Sequence, residues 1–496
     1  MALLKFQFQP PDLVSGLPEL RSAYLTGLDR TPQRTAVEVR PGLLVCQSES
    51  PESARLNVAW PVPGHGAPVL TTATLAERKE PYNLAVELAR GRLNDLRNQA
   101  ADWRQVGLST DSTLDELMRQ ATETFAQAAT RRDEPAAATA AAQRALQLAL
   151  TADARLIASY TEQVLARRKG YSQRLPTLLG CGIDAATVKA PGAAVLKKSV
   201  NAARIACDWK RLQPNEGKYR WEEIDAQLQW CQGAGLAVTA GPLLDFHGAS
   251  LPDWLWLWES DFEPIHGMVE ELIRAAITRY RGRVTSWQIA HRTGTGRILG
   301  LTEEEQIRIA ARAIQVARRA DPDVPLFLGV ERPWAGWLAT STAQFGPLHL
   351  ADSLARADLG LSGLAIELAL GYTRPGSQRR DLLDVSRLLD LYALVNLPLS
   401  VTIAVPSSGS PDPKAEANVA LRDAQWAAPP DEASQRDLLR EVVSLAVAKP
   451  YVQSVEVVHA ADAAPHLFPH AGLLRPDGKP KAAAQWMADF RAAYLN

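Results

Sequence analysis

Apolar and polar positions along the chain fall into three stretches with different periods. From residue 1 to 81, short apolar runs (Leu3 to Phe8, Ala36 to Val39, Leu43 to Cys46, Leu56 to Trp60, Val69 to Thr74) alternate with Pro and Gly clusters such as PGHGAP. Short runs between breakers predict a small antiparallel β domain over 1–81, either a carbohydrate-binding-like sandwich or a unit that only packs against the rest. Over 82–171 the period becomes helical: Leu84, Leu88, Leu93 and Leu96, then Leu114, Leu117 and Met118, then Leu146, Leu148, Leu156 and Ile157. Asp111 or Ser112 is placed to cap one helix, RRDEP at 131–135 reads as a turn, and the Ala-rich tract at 136–149 favours helix. A helical hairpin or small bundle without chemistry of its own is expected there.

From 172 to 496 short apolar strands alternate with amphipathic helices. Strands are expected near 178–183, 202–207, 236–244, 284–290, 325–330, 361–370, 398–405 and 454–459. Eight strands separated by helices predict an α/β architecture, and over this length a closed (β/α)8 TIM barrel suits them better than an open sheet. The first strand ends in GCGID, which lacks the third glycine of a dinucleotide fingerprint, so no nucleotide cofactor is expected.

Composition narrows the partners. Apolar residues make up 46% and charged residues 22% of the chain, and the formal net charge is −1. With no basic stripe, nucleic acid is excluded as an expected partner. No apolar run is long enough to span a bilayer, so no membrane is expected. The start, MALLKFQFQPPDL, lacks a charged head followed by an apolar run, which predicts a cytoplasmic location. Cys46, Cys181, Cys207 and Cys231 are too scattered for a metal site and read as buried thiols. His466 and His470 are four apart, but Pro469 breaks a helical pair, so no metal is expected there either.

Four segments in order carry a resemblance. They are WKRLQPNEGKYRWEEID at 209–225, AGPLLDFHGASLPDWL at 240–255, RYRGRVTSWQIAHRT at 279–293 and AGLLRPDGKPKAAAQWM at 471–487. Together they resemble glycoside hydrolase family 10, the endo-β-1,4-xylanases. The resemblance implies a TIM barrel that acts on O-glycosidic bonds of a β-linked, xylan-type polysaccharide through two carboxyl groups. It also implies sugar contacts at His247 and at Trp254, which follows Pro252. The chain departs from the family at both catalytic positions: the acid/base position is Arg292, preceded by His291, and the nucleophile position is Ile403. Arginine stays protonated at any working pH, so it cannot be a general acid. The family's Trp on the eighth strand is His459, and its Asn-Glu-x-Lys run becomes Ile205, Ala206, Cys207 and Asp208.

Acids at strand ends are the remaining candidates, because barrel active sites gather at that face. Glu367 interrupts the apolar run GLAIELALGY, Asp245 ends the third strand, Asp208 the second, and Glu331 follows the fifth in GVERPW. In one reading Glu367 and Asp245 (or Glu331) form a replacement catalytic pair, with Arg292 as a partner for Glu367 and with His247, Trp254, Asp208, His291, Arg292, Glu331 and His459 contacting substrate. In the other, these acids balance Arg292, Arg332, His291 and His459 in a polar mouth that binds a glycan without cutting it. A third, variant reading gathers those same basic groups to take an anionic, uronic-acid glycan. The WLWLW run at 254–258 reads as a stacking platform or as core on a loop or strand. The Pro/Ser-rich stretch 406–431 reads as a disordered loop or a lid.

Overall fold

The computed structural model describes residues 2–296, 298–416 and 418–496, apart from the side chain of Val14. The N-terminal apolar runs form strands β1 (Ala2–Gln7), β2 (Tyr24–Thr26), β3 (Thr35–Arg40), β4 (Leu43–Ser48), β5 (Arg55–Ala59), β6 (Val69–Thr71) and β7 (Tyr82–Asn83). They make two small sheets, ordered β3-β4-β1-β7 and β2-β5-β6. Along β1, Leu4 and Phe6 alternate inward with the half-buried Leu3 and Lys5, as a period of two requires. β2 and β7 had no counterpart among the expected runs; at three and two residues they are too short to show a period.

Three helices follow, Leu84–Gln105, Ser112–Thr130 and Pro135–Tyr171. Asn83 and Asp111 cap the first two, accepting from Val86 N at 3.3 Å and Leu114 N at 2.8 Å. Pro135 opens the third, where a missing N–H is harmless. Ala138, Ala142, Ala145 and Ala149 are buried along the third helix, and their small size lets it approach its neighbours closely.

The barrel comprises β8 (Leu178–Ile183), β9 (Ala202–Ile205), β10 (Ala237–Ala240), β11 (Leu244–Asp245), β12 (Ser286–His291), β13 (Leu326–Val330), β14 (Gly363–Ala369), β15 (Leu399–Ala404) and β16 (Val452–Val457). All neighbours are parallel, and pairing of β10 with β12 closes the ring. β10 and β11 are two pieces of one third strand, interrupted at Pro242, which has no N–H for the ladder. The eighth strand stops at Val457, so His459 lies on the loop beyond it and not on the expected strand 454–459.

The barrel's interior is polar. Arg204, Thr239, Ser286, Gln288, Ser400, Thr402, Ser454 and Glu456 surround a cavity of about 110 Å³, where many barrels pack branched apolar chains. Hydroxyls bridge neighbouring strands, with Ser454 Oγ 2.6 Å from Ser400 Oγ and Thr239 Oγ1 2.9 Å from Ser286 Oγ. Arg204 Nε lies 3.3 Å from Glu456 Oε2.

A buried ionic seam joins the helices to the barrel. Arg92 donates to both oxygens of Asp381 at 2.8 and 2.9 Å and also to Asp153. Asp381 in turn caps the helix Leu382–Ala393, accepting from Asp384 N at 3.0 Å. Beside it Asp95 takes Arg55 at 3.1 Å and Arg387 at 2.6 Å.

Two expectations are revised. WLWLW is neither an irregular loop nor a strand: Asp253–Trp258 is a 3-10 helix. The stretch 406–431, in which Ala417 lies outside the described residues, is packed: Val419 and Trp426 are buried and Leu421 bridges to Tyr372. Among the described residues no helix is long and apolar enough to cross a membrane.

Candidate active site

A cavity of about 720 Å³ opens at the C-terminal ends of the barrel strands. Asp208, Asp245, His291, Arg292, Glu367 and His459 all line it, so six of the nine expected site residues meet there. The other three are not on its lining. Trp254 turns its indole N–H to Gln213 O at 2.8 Å and packs edge-on against Trp209. His247 begins the short turn Gly248–Ser250. Glu331 is buried behind the mouth.

Glu331 is the hub of the mouth's charges. Its Oε2 accepts from Arg292 Nε at 3.1 Å and Arg374 Nη2 at 2.7 Å, and its Oε1 from Arg332 Nε at 3.1 Å and Nη2 at 2.7 Å. Burial alone would raise this carboxyl, but the three guanidiniums hold it far below the usual carboxylate range. Arg292 also donates to Asp245, at 3.1 Å to Oδ2, and Ser250 Oγ reaches the same oxygen at 3.3 Å. Arg292 and Arg332 follow their strands with φ of 58° and 46°, the left-handed region that non-glycine residues rarely adopt. Their side-chain bonds to Glu331 hold them there.

Arg292 makes no direct ion pair with Glu367, contrary to expectation. The partner of Glu367 is His291, whose Nε2 lies 3.7 Å from Oε2. Burial works to raise the Glu367 carboxyl, yet His291 and Arg292 outweigh it and keep it below its ordinary value. Gly329 makes room for this pair: a side chain there would meet Gln288 Nε2 at 2.2 Å and His291 Nδ1 at 2.3 Å. Asp208 is shifted the other way. Burial pushes its carboxyl up to about 6, against backbone N–H groups of Arg211 and Lys210 and helped by the charge of Asp245. The cavity therefore holds one acid that keeps its proton toward neutral pH and one that does not.

The wall beyond β16 carries a network that was not expected from sequence. His459 Nε2 lies 2.9 Å from Asp462 Oδ1, and Asp462 Oδ2 accepts from Lys481 Nζ at 2.6 Å. His466 stacks on His459 with centroids 4.4 Å apart and reaches Asp412 at 3.0 Å, and His470 N donates to the same Asp412 oxygen. The only sequence signals were the three-residue step from His459 to Asp462 and the Lys of GKPKAAA. Among the described residues two clusters bring potential metal-ligand atoms within 4.8 Å of one another: His459, Asp462 and His466, and His291, Glu331 and Glu367. Neither suits a cation. Lys481 already places an ammonium on Asp462, and three arginines saturate Glu331.

The sequence model of glycosyl hydrolase family 10 matches residues 171–329, from the start of the barrel to β13. An endo-1,4-beta-xylanase of Agaricus bisporus is 24% identical over 207 residues, which is 40% of this chain and 59% of that protein. Endo-1,4-beta-xylanase A of Fusarium oxysporum f. sp. lycopersici is 29% identical over 129 residues, 25% of this chain and 38% of that protein. The chain thus spans between 38% and 59% of the length of these two curated relatives. Over the matched residues the barrel is similar to glycoside hydrolase family 10. Xylanase 10B of Thermotoga maritima aligns at a TM-score of 0.48 and 16% identity, over 65% of this chain and 98% of that one. A GH10 structure from Paenibacillus barcinonensis aligns at 0.48 and 18% identity, over 65% and 96%.

The family 10 match ends before Glu331, Glu367, Ile403 and His459, so three of the nine expected site residues lie outside it and six within it. At the position that the resemblance gives to the nucleophile, Ile403 is fully buried in the apolar core, and its neighbour Thr402 lines the cavity instead.

Proposed function

We propose that the barrel mouth binds a β-linked, xylan-type polysaccharide and hydrolyses its O-glycosidic bonds. Asp208 donates a proton to the leaving oxygen, and the Glu367 carboxylate faces the positive charge that develops at the anomeric carbon. The observation that carries this reading is that Asp208 and Glu367 line one cavity in different surroundings, Glu367 beside His291 and Asp208 with no cationic side chain among the described residues bonded to it. Burial accordingly raises Asp208 while His291 and Arg292 hold Glu367 down, which assigns donor and anion. Asp245, expected as the partner of Glu367, is tied to Arg292 and Ser250 and serves to orient substrate. A neutral glycan is favoured over a uronic one, because Arg204, Arg211 and Arg292 in the cavity each bond a carboxylate already.

The test is release of reducing ends from xylan, arabinoxylan and glucuronoxylan by the wild type, Glu367→Gln, Asp208→Asn and Asp245→Asn, with folding followed by circular dichroism. Loss of about 10²–10⁴ in rate is expected for Asp208→Asn, the usual contribution of a positioned acid. Because the donor must hold its proton, activity falls as pH rises through about 6. Full activity in both Glu367→Gln and Asp208→Asn rejects the assignment, and no product on any substrate rejects the hydrolase.

A second reading, a binding protein that holds the glycan intact, is favoured by one observation: Arg292 and Ile403 leave no carboxyl at either family position. Glycan binding by calorimetry without product release selects it.

A further inference from the structure

His459 occupies the cavity wall in an arrangement that the proposed acid and anion do not use. Its Nε2 is committed to Asp462 at 2.9 Å. Asp462 is buried and itself fixed by Gly472 N at 2.8 Å and Lys481 Nζ at 2.6 Å, so the proton between ring and carboxylate belongs on Nε2. That leaves Nδ1 with its lone pair. Among the described residues no hydrogen bond to Nδ1 is found, and the His459 side chain, 14% exposed, lines the cavity. His466, stacked on it, has no nitrogen to spare: Nδ1 lies 2.8 Å from the carbonyl oxygen of Ala464 and Nε2 3.0 Å from Asp412. Burial lowers His459 from its ordinary value, against the pull of Asp462, which keeps the ring neutral.

The opposite side of the chemistry has a gap. A two-step mechanism needs a carboxylate that attacks the sugar, and the position that the resemblance gives to it holds Ile403, buried in the core. Glu367, paired with His291 at 3.7 Å, is the anion that stabilises charge and does not bond the sugar, so water attacks directly, and an attacking water needs a base.

We infer that His459 is that base, with Asp462 and Lys481 as its positioning residues, so that this mouth cleaves by single displacement; the inference rests on the hydrolase reading above. The water oxygen bonds to the anomeric carbon and gives its proton to His459 Nδ1. The bond from that carbon to the glycosidic oxygen breaks, and the leaving oxygen takes the proton of Asp208. Protonated His459 and ionised Asp208 then exchange a proton through solvent, which restores both. The released sugar has inverted configuration.

Xylo-oligosaccharides incubated with wild type, His459→Ala, His459→Gln and Asp462→Asn test this, with the new anomer read by proton NMR. Inversion is expected. His459→Ala should lose at least about 100-fold in kcat with KM within about threefold, and added imidazole or formate should restore part of the rate. Asp462→Asn should lower kcat less, again without raising KM. Retention of configuration, or a His459→Ala kcat within about twofold of wild type, overturns the inference while leaving the hydrolase standing. If the substitutions at 459 unfold the protein, the product anomer from wild type still decides. A wild type that releases no sugar overturns both.

Discussion

Two buried clusters of acids and arginines, one at the barrel mouth and one at the seam with the helices, end with their central carboxyls in opposite states. At the mouth Glu331 receives three guanidiniums and is held far below the carboxylate range. At the seam Asp153 has Arg92 alone, and Arg92 also serves Asp381 with both of its terminal nitrogens. Burial then pushes Asp153 up to about 7, with the charges of Asp381 and Asp95 adding to the push. The count of donors per carboxylate, and not burial itself, decides which acid keeps its charge.

Glu331→Gln gives the largest break in this contrast. It leaves three arginines facing a neutral amide, and removing one partner from a buried ionic group costs about 3–5 kcal/mol. A correspondingly large fall in Tm or in the urea midpoint checks it, and wild-type stability would refute the hub. Asp153→Asn sharpens the contrast through pH. The folded value near 7 lies above the unfolded one, so the native state binds more protons between them and loses stability as pH rises toward 7. The slope from this group is at most about 1.4 kcal/mol per pH unit. Denaturant titrations from pH 5 to 8 should show that Asp153→Asn flattens it. Leu257→Ser sets the baseline: Leu257 is 84% exposed, and a shift within about 0.5 kcal/mol is expected.

Much of the barrel was legible because its strands are short apolar runs divided by helices, a pattern that needs no partner to be seen. The limits of that legibility are local. Pro242 splits the third strand by removing a ladder donor, and β2 and β7 are shorter than any detectable period. Within the site, Asp208, Asp245, Arg292 and His459 could be found because they lie at or just past strand ends, and Glu367 because it interrupts the apolar run of β14. Asp462 and Lys481 could not, since a bond between residues 19 apart leaves no trace in spacing. Glu331 was placed beside substrate because it follows a strand, yet its direction is set by Arg292, Arg332 and Arg374, three residues from three loops. Trp254 follows the same logic, held by the Gln213 carbonyl.

Arg292 also constrains the routes by which this sequence can change. A glutamate at that position would stand against Asp245 and Glu331, gathering three carboxylates where a shared cation now sits. A lineage could introduce an acid there only after first giving up one of those two partners, and the intermediate with Arg292 unmatched would be the less stable protein. The ion pairs thus make the present mouth easy to keep and hard to alter by single substitutions.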